Sequence, residues 1–317
     1  MYEQIAANKR KSFFLVLIFL LLIFALTWIL GRQIGWGVEA LIVAAVISGG
    51  MAWGSYYSSD KIVLALSRAK PLRREEYPYL FHTVEGLALA AGLPPPRCYL
   101  IEDTAPNAFA TGRNPEKAVI VVTRGLVEKL NRLELEGVIA HEMAHIKNYD
   151  ILLQTLAVVM VGVVVLLSDW LLRSFFWGRF GGRRRAKRGK GDLGIILALV
   201  ALLLAVLSPL IAQLLRLALS RRREFLADAQ GVMLTRYPPG LASALKKIAQ
   251  DKEPLEVANK ATAHLYIVNP LENIQGKVNR LFRTHPPIEE RIAALERMSS
   301  PGGQVGPITL DKKRERI

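Results

Sequence analysis

The chain of 317 residues is 51% hydrophobic and 22% charged, and 42 Lys and Arg against 27 Asp and Glu give it a formal charge of +15. That hydrophobic content excludes intrinsic disorder, and so much basic charge beside a mean hydropathy of +0.25 requires apolar and basic residues to be segregated, as in a membrane protein with basic flanks. The single cysteine, Cys98, excludes an intrachain disulfide and reads as a small buried hydrophobe.

In chain order, Lys9, Arg10 and Lys11 precede an uncharged run from Ser12 to Leu30, long enough at 1.5 Å per residue to cross most of a ~30 Å hydrocarbon core. The following Gly31-Arg32-Gln33 lacks a small-x-small cleavage site, so the run reads as a membrane helix and not as a signal peptide. A weaker run, Ile34 to Tyr57, follows so closely that the two form a hairpin, with Trp28, Trp36 and Trp53 near the helix ends as interface anchors. Lys61, Arg68, Lys70, Arg73 and Arg74 come next, with only Arg32 between the two runs, so the N-terminus and the first soluble segment are expected on the cytoplasmic side.

The segment from Asp60 to Asp150 is polar enough to be soluble. Apolar residues from Tyr77 to Leu89 recur at helical spacing between Arg73 and Gly92, where Gly92 and Pro94-Pro95-Pro96 stop the helix. Arg97 to Glu102, Ala108 to Thr111 and Lys117 to Thr123 are three short strand-like stretches, which imply a small sheet. Asn131 can cap a helix starting near Leu133, with Glu134 and Glu136 in its first turn.

Two further apolar runs, Ile151 to Leu172 and Leu193 to Leu219, could each span the bilayer, yet a basic loop from Arg173 to Lys190 lies between them. If both span, that loop faces outward, against the positive-inside rule; either the pair packs on protein without crossing, or the first helix dominates the topology. The basic cluster within that loop, Arg183 to Lys190, holds no interleaved aromatics and sits at a membrane edge, which favours lipid head groups or solvent over nucleic acid. The expected organisation is an N-terminal transmembrane hairpin over 1–59, a first soluble part over 60–150, a second hydrophobic hairpin over 151–219 and a second soluble part over 220–317.

The chemically specific cluster is His141-Glu142-Met143-Ala144-His145. Histidines at i and i+4 on a helix share one face, so both imidazoles can reach one Zn²⁺, and Glu142 is placed to take a proton from the attacking water. A catalytic zinc site wants three protein ligands, and only His82, His264 and His285 remain besides the carboxylates. Glu224 is the preferred third ligand because it begins a helix as the chain leaves the fourth apolar run, near the same bilayer face as His145; His264 and His285 are the alternatives. Asp228, one turn after Glu224, can hold a ligand histidine's second nitrogen. His82 and His264 themselves read as surface residues.

With His141 to His145, the stretches Arg223 to Asp228, Asn107 to Gly112 and Thr284-His285-Pro286-Pro287 resemble the successive signatures of HtpX-like membrane zinc metalloproteases, relatives of the CAAX prenyl proteases. The resemblance runs from the first hairpin to Arg291 and implies an α-helical membrane protein with a zincin-like α+β catalytic domain, whose small β-sheet presents an edge strand beside the HExxH helix. It further implies one zinc per subunit on His141, His145 and Glu224, Glu142 as general base and Asp228 behind the ligands. Asn107, Ala108, Phe109 and Ala110 resemble the edge strand that pairs with substrate backbone, and His285 and Arg291 the pair that stabilises the oxyanion. The activity implied is a gluzincin-type endopeptidase of the inner (cytoplasmic) membrane, with its site facing the cytoplasm, acting in quality control on misfolded membrane proteins. Its partners are then unfolded or membrane-protein substrates, the lipid bilayer and other membrane quality-control proteases. Two rivals stand beside this reading: a zinc-binding scaffold without catalysis, for which Glu142 would be superfluous, and a narrow prenyl-protein processing protease, whose many-helix chamber two hairpins do not make.

Overall fold

The computed structural model describes residues 2–33, 35–163, 221–258, 262–270 and 286–299. Helices α1 (Tyr2–Gln33) and α2 (Glu39–Tyr57) are long and apolar enough to cross a membrane and pack as a hairpin. Their turn is tight because Gly31 lets the Ala40 methyl approach: a Cβ at Gly31 would lie 2.9 Å from it. A short α3 (Ser59–Leu66) leads into the sheet.

The sheet has the order β1-β2-β4-β3, from β1 (Lys70–Pro71), β2 (Arg97–Ile101), β3 (Ala108–Thr111) and β4 (Val119–Thr123). The outer pairs are antiparallel and the central β2/β4 pair is parallel. Side chains alternate by face as a period of two demands. Cys98, Leu100, Ala108, Ala110, Ile120 and Val122 enter the main core; Ile101, Phe109, Val119 and Val121 enter a second cluster on the other face. Three of the strands lie where alternation and turn residues place them, whereas β1 has too few residues to leave a pattern in the sequence.

Helix α4 (Pro78–Ala91) starts on a proline at its first position and ends at Gly92, whose φ of +70° is the left-handed cap that glycine adopts without strain. After the short α5 (Arg124–Lys129), α6 (Arg132–Lys147) opens with a reciprocal cap: Asn131 Oδ1 accepts the Glu134 N–H at 3.0 Å, and the Glu134 carboxylate accepts the Asn131 N–H at 2.8 Å. Glu134 is also held by Ser243 and Lys247, which tie α6 to α9 (Pro238–Gln250).

Two glycines set the depth of α6. A Cβ at Gly137 would lie 2.7 Å from the Leu241 backbone nitrogen on α9. One at Gly231, on α8 (Arg221–Thr235), would lie 3.1 Å from the His141 nitrogen. Only residues without side chains allow three helices to meet this closely. α10 (Ile288–Ser299) closes this end by packing on α9.

After Lys147 the chain turns through 83° into α7 (Asp150–Val163), with Tyr149 in left-handed conformation at φ +59°. The described part of this third apolar run is buried in protein: Leu152, Leu153, Leu156, Ala157 and Met160 pack against Leu15, Phe19 and Ile23 of α1. The rest of the hairpin over 151–219, including the basic loop and the fourth run, lies outside the described residues.

Candidate metal centre

α6 and α8 cross where the first carries His141, Glu142 and His145 and the second carries Glu224, Asp228 and Gly231 along one face. The i, i+4 and i+7 spacing on α8 directs all three toward α6. One ligand atom from each of His141, His145 and Glu224 lies within 4.8 Å of the others, and all three residues are buried. The two Nε2 atoms stand 3.1 Å apart; Glu224 carboxylate oxygens lie 3.8 Å from His141 Nε2 and 3.6 Å from His145 Nε2.

Each imidazole is turned by an aspartate on its far side. His141 Nδ1 lies 2.9 Å from Asp228 Oδ1, and His145 Nδ1 lies 3.0 Å from Asp150 Oδ2. A carboxylate at Nδ1 fixes the tautomer that leaves Nε2 as the donor atom for a metal. Asp228 is held in turn by Arg291, which donates from Nε to Oδ2 at 2.9 Å and from Nη2 to Oδ1 at 2.7 Å. A third bond runs from Arg291 Nη1 to the Ile267 carbonyl at 3.0 Å.

Electrostatics separate the titrating groups. Burial pushes the Glu142 carboxyl up to about 7, with the Glu224 charge adding to the effect. Burial drives His141 down to about 4 against the pull of Asp228, assisted by the charges of His145 and Arg291. At His145 burial works against the charge, but Asp150, Glu224 and Glu142 outweigh it and raise the group to about 9. Arg291 overcomes burial to hold Asp228 below the usual carboxylate range.

The donor set suits zinc. Two imidazoles and one carboxylate form a His₂Glu site, and two ligands of a tetrahedral ion bound at ~2.0–2.1 Å stand about 3.3 Å apart.

The other residues singled out in the sequence fall as follows. Asn107 immediately precedes β3, the outermost strand, but its side chain donates to the Val268 carbonyl at 2.8 Å. The outward Ala108 carbonyl accepts the Ile267 N–H at 2.9 Å, so part of the edge expected to be open to substrate is taken by the chain itself. Phe109 is buried edge-to-face on Tyr266, while the Ala110 backbone bonds Glu142. Arg291, which reads as an exposed charge beside Glu289 and Glu290 when taken alone, is 1% exposed. His285 lies outside the described residues. His82 is exposed as expected; His264 is instead buried in the turn Ala263–Leu265, away from the three-residue cluster.

Asp150 was not legible as a site residue. It follows His145 by five residues, which on a straight helix turns it well off the histidine's face, and only the corner at Tyr149 brings it back.

A helical HExxH segment, a glutamate from a second helix and a small mixed sheet alongside define a metallopeptidase centre. The chain belongs to peptidase family M48, which residues 74–299 match. Proteins called Protease HtpX homolog are similar over nearly their full length. That of Dictyoglomus turgidum is 51% identical over 297 residues, covering 94% of each chain. That of Thermoanaerobacter pseudethanolicus is 45% identical, covering 94% of this chain and 98% of its own, and one from Listeria monocytogenes is 44% identical, covering 94% and 100%. The crystal structure of Ste24p from S. mikatae aligns at a TM-score of 0.41 and 22% identity, covering 82% of this chain; the aligned part spans 65% of that protein's length. The protein is a membrane metalloprotease.

Proposed function

We propose that the protein is a zinc-dependent endopeptidase of the cytoplasmic membrane that hydrolyses peptide bonds in misfolded or damaged membrane proteins, with His141, His145 and Glu224 holding the metal. The observation that carries this reading is the convergence of those three donor atoms within 4.8 Å, each imidazole backed by an aspartate, beside a buried glutamate that is not part of the cluster. When bound, zinc supplies Lewis-acid polarisation of the scissile carbonyl and acidifies the attacking water.

Glu142 does the proton work. Raised to about 7, its carboxyl can accept a proton from water and return it to the leaving amine near neutral pH. Substrate aligns in extended form at the Ala110 end of β3, the part of the edge that faces Glu142. Arg291, committed to Asp228 and to the Ile267 carbonyl, still presents Nη1 3.5 Å from Glu224, so its charge reaches the position where an oxyanion develops.

A cytoplasmic site is supported by α1: its N-terminal end carries Lys9, Arg10 and Lys11, and the same end touches the corner beside His145. The catalytic domain is accordingly divided, with 60–150 and 220–317 joined around the hydrophobic segment 151–219.

The test is Glu142→Gln in detergent-purified protein loaded with one equivalent of zinc. The variant should bind zinc as the native chain does and lose casein cleavage by at least about 10³-fold, because the general base alone is removed. Cleavage at the native rate would overturn the assignment.

A further inference from the structure

The polar start of α1 does not read as part of an active site, since it precedes a membrane run and sits between basic residues. Yet Asn8 is 3% exposed, and every polar atom of its amide points at the metal centre. Nδ2 donates to Asp150 Oδ1 at 2.7 Å and to the Asn148 carbonyl at 2.9 Å, while Oδ1 accepts from Arg223 Nη1 at 3.3 Å. Arg223 in turn reaches Asp150 Oδ1 at 3.2 Å. The other oxygen of Asp150 holds His145 Nδ1.

We propose that Asn8 is a positioning residue for the metal: through Asp150 it fixes the His145 imidazole, so the first membrane helix is a working part of the catalytic centre and more than an anchor. The inference rests on the reading of His145 as a zinc ligand. Two further contacts make the coupling stiff. Lys9 Nζ sits 4.2 Å above the Tyr149 ring, on the corner that delivers Asp150. About two to four turns further on, Leu15, Phe19 and Ile23 lie against α7, of which Asp150 is the first residue. A buried carboxylate with one oxygen on an imidazole needs its other oxygen satisfied, or it turns toward whatever donor is available. Asn8 and Arg223 supply those donors from the two flanking helices, and the amide donates to Asp150 and the Asn148 carbonyl at once, locking the α6–α7 corner to α1.

The experiment compares the full-length chain in detergent with Asn8→Leu, which keeps the volume and removes the hydrogen bonds, and with Leu15→Ala, which loosens α1 against α7 and leaves the amide alone. Asn8→Ala replaces the leucine variant if that variant does not fold. Zinc affinity is measured by chelator competition and ligand geometry by the d–d absorption of the cobalt-substituted protein. The Asn8 variant should bind zinc about tenfold more weakly and shift the cobalt band, as loss of a partner behind a ligand does elsewhere. Leu15→Ala should melt earlier with native affinity and a native band. Native affinity and band in the Asn8 variants would overturn the inference, as would an equal loss in Leu15→Ala, which would reduce the effect to packing. A native chain that takes up no zinc at all would overturn the zinc reading instead, and that outcome is read on the native chain alone.

Discussion

The two histidines of one helix are held in the same way by very different parts of the molecule. His141 leans on Asp228, and Asp228 on Arg291, so that arm is built from α8 and α10. His145 leans on Asp150, and Asp150 on Asn8 and Arg223, so that arm runs through the α6–α7 corner into the membrane helix α1. Distances at Nδ1 differ by 0.1 Å, but the first arm ends on a bidentate guanidinium and the second on a neutral amide with a single-point arginine contact. Equal geometry at the ligand therefore hides unequal stakes: one arm closes on a fully buried, doubly bonded ion pair, the other on a singly bonded ion pair and an amide that ties it to α1.

Removing the end of the first arm should have the largest effect. Arg291→Ala leaves Asp228 buried with its main counter-charge gone, which typically costs about 3–5 kcal/mol. The metal-free variant should melt well below the native chain in a calorimeter, and zinc should restore part of the loss because it supplies positive charge at the same place. A melting temperature within a degree of native would show that the two arms are equivalent in kind.

Asp150→Asn tests the second arm and should act on the metal more than on the fold. The amide can still accept from Asn8 and Arg223, but it no longer places a negative charge behind His145. Zinc affinity should fall about 10- to 100-fold, with global stability changed less than in Arg291→Ala. If stability collapses and affinity per folded molecule does not change, Asp150 is a structural residue and the contrast between the arms fails.

A packing substitution shared by neither arm gives a scale. Gly137→Ala would gain up to about 1 kcal/mol of helix propensity on an exposed helix, but here its methyl meets the Leu241 backbone at 2.7 Å, and a backbone cannot swing aside as a side chain can. A net destabilisation of about 1–2 kcal/mol is expected from a denaturant titration, with zinc stoichiometry unchanged. A stabilised variant would show that α9 is free to slide on α6.

How much of this was readable in the sequence depended on the reach of each contact. His141, Glu142 and His145 were legible because a motif within two helical turns fixes its own geometry, and Glu224 with Asp228 because one helical face carries both. Asp150 was not, and Arg291 only through the resemblance, since the return of a chain after a corner and the burial of a charge are tertiary facts without a local period. The third apolar run illustrates an ambiguity of principle: a stretch of leucine and valine reads alike whether it faces lipid or protein, and in α7 the described half faces protein. The edge strand was legible as a strand, but its partial cover by Ile267 and Val268 comes from a segment some 160 positions away, across a hydrogen bond that leaves no trace in composition.

The smallest and most diagnostic effect separates the arms by pH. In the metal-free chain His145 is held protonated up to about 9, whereas His141 is neutral above about 4, and only neutral imidazoles bind metal. Between pH 6 and 9, zinc uptake should therefore expel close to one proton through the Asp150 arm and none through the Asp228 arm, so the affinity rises up to about tenfold per pH unit and flattens above pH 9. For stability the signs are opposite. The raised His145 stabilises the metal-free fold fully below its ordinary value of 6.5, and that contribution disappears as pH rises through about 9. The lowered His141 costs nothing above 6.5 and weakens the fold as pH falls from there toward 4, because the unfolded chain then binds the extra proton. Glu142, raised to about 7, is a second source of protons, so the measurement belongs in Glu142→Gln, where only the imidazoles remain. Calorimetric zinc titrations in buffers of different ionisation enthalpy count the protons directly. In that background Asp150→Asn should move the plateau below pH 9 and Arg291→Ala should not move it downward; a plateau that ignores Asp150 would place the proton elsewhere and erase the electrostatic difference between the two arms.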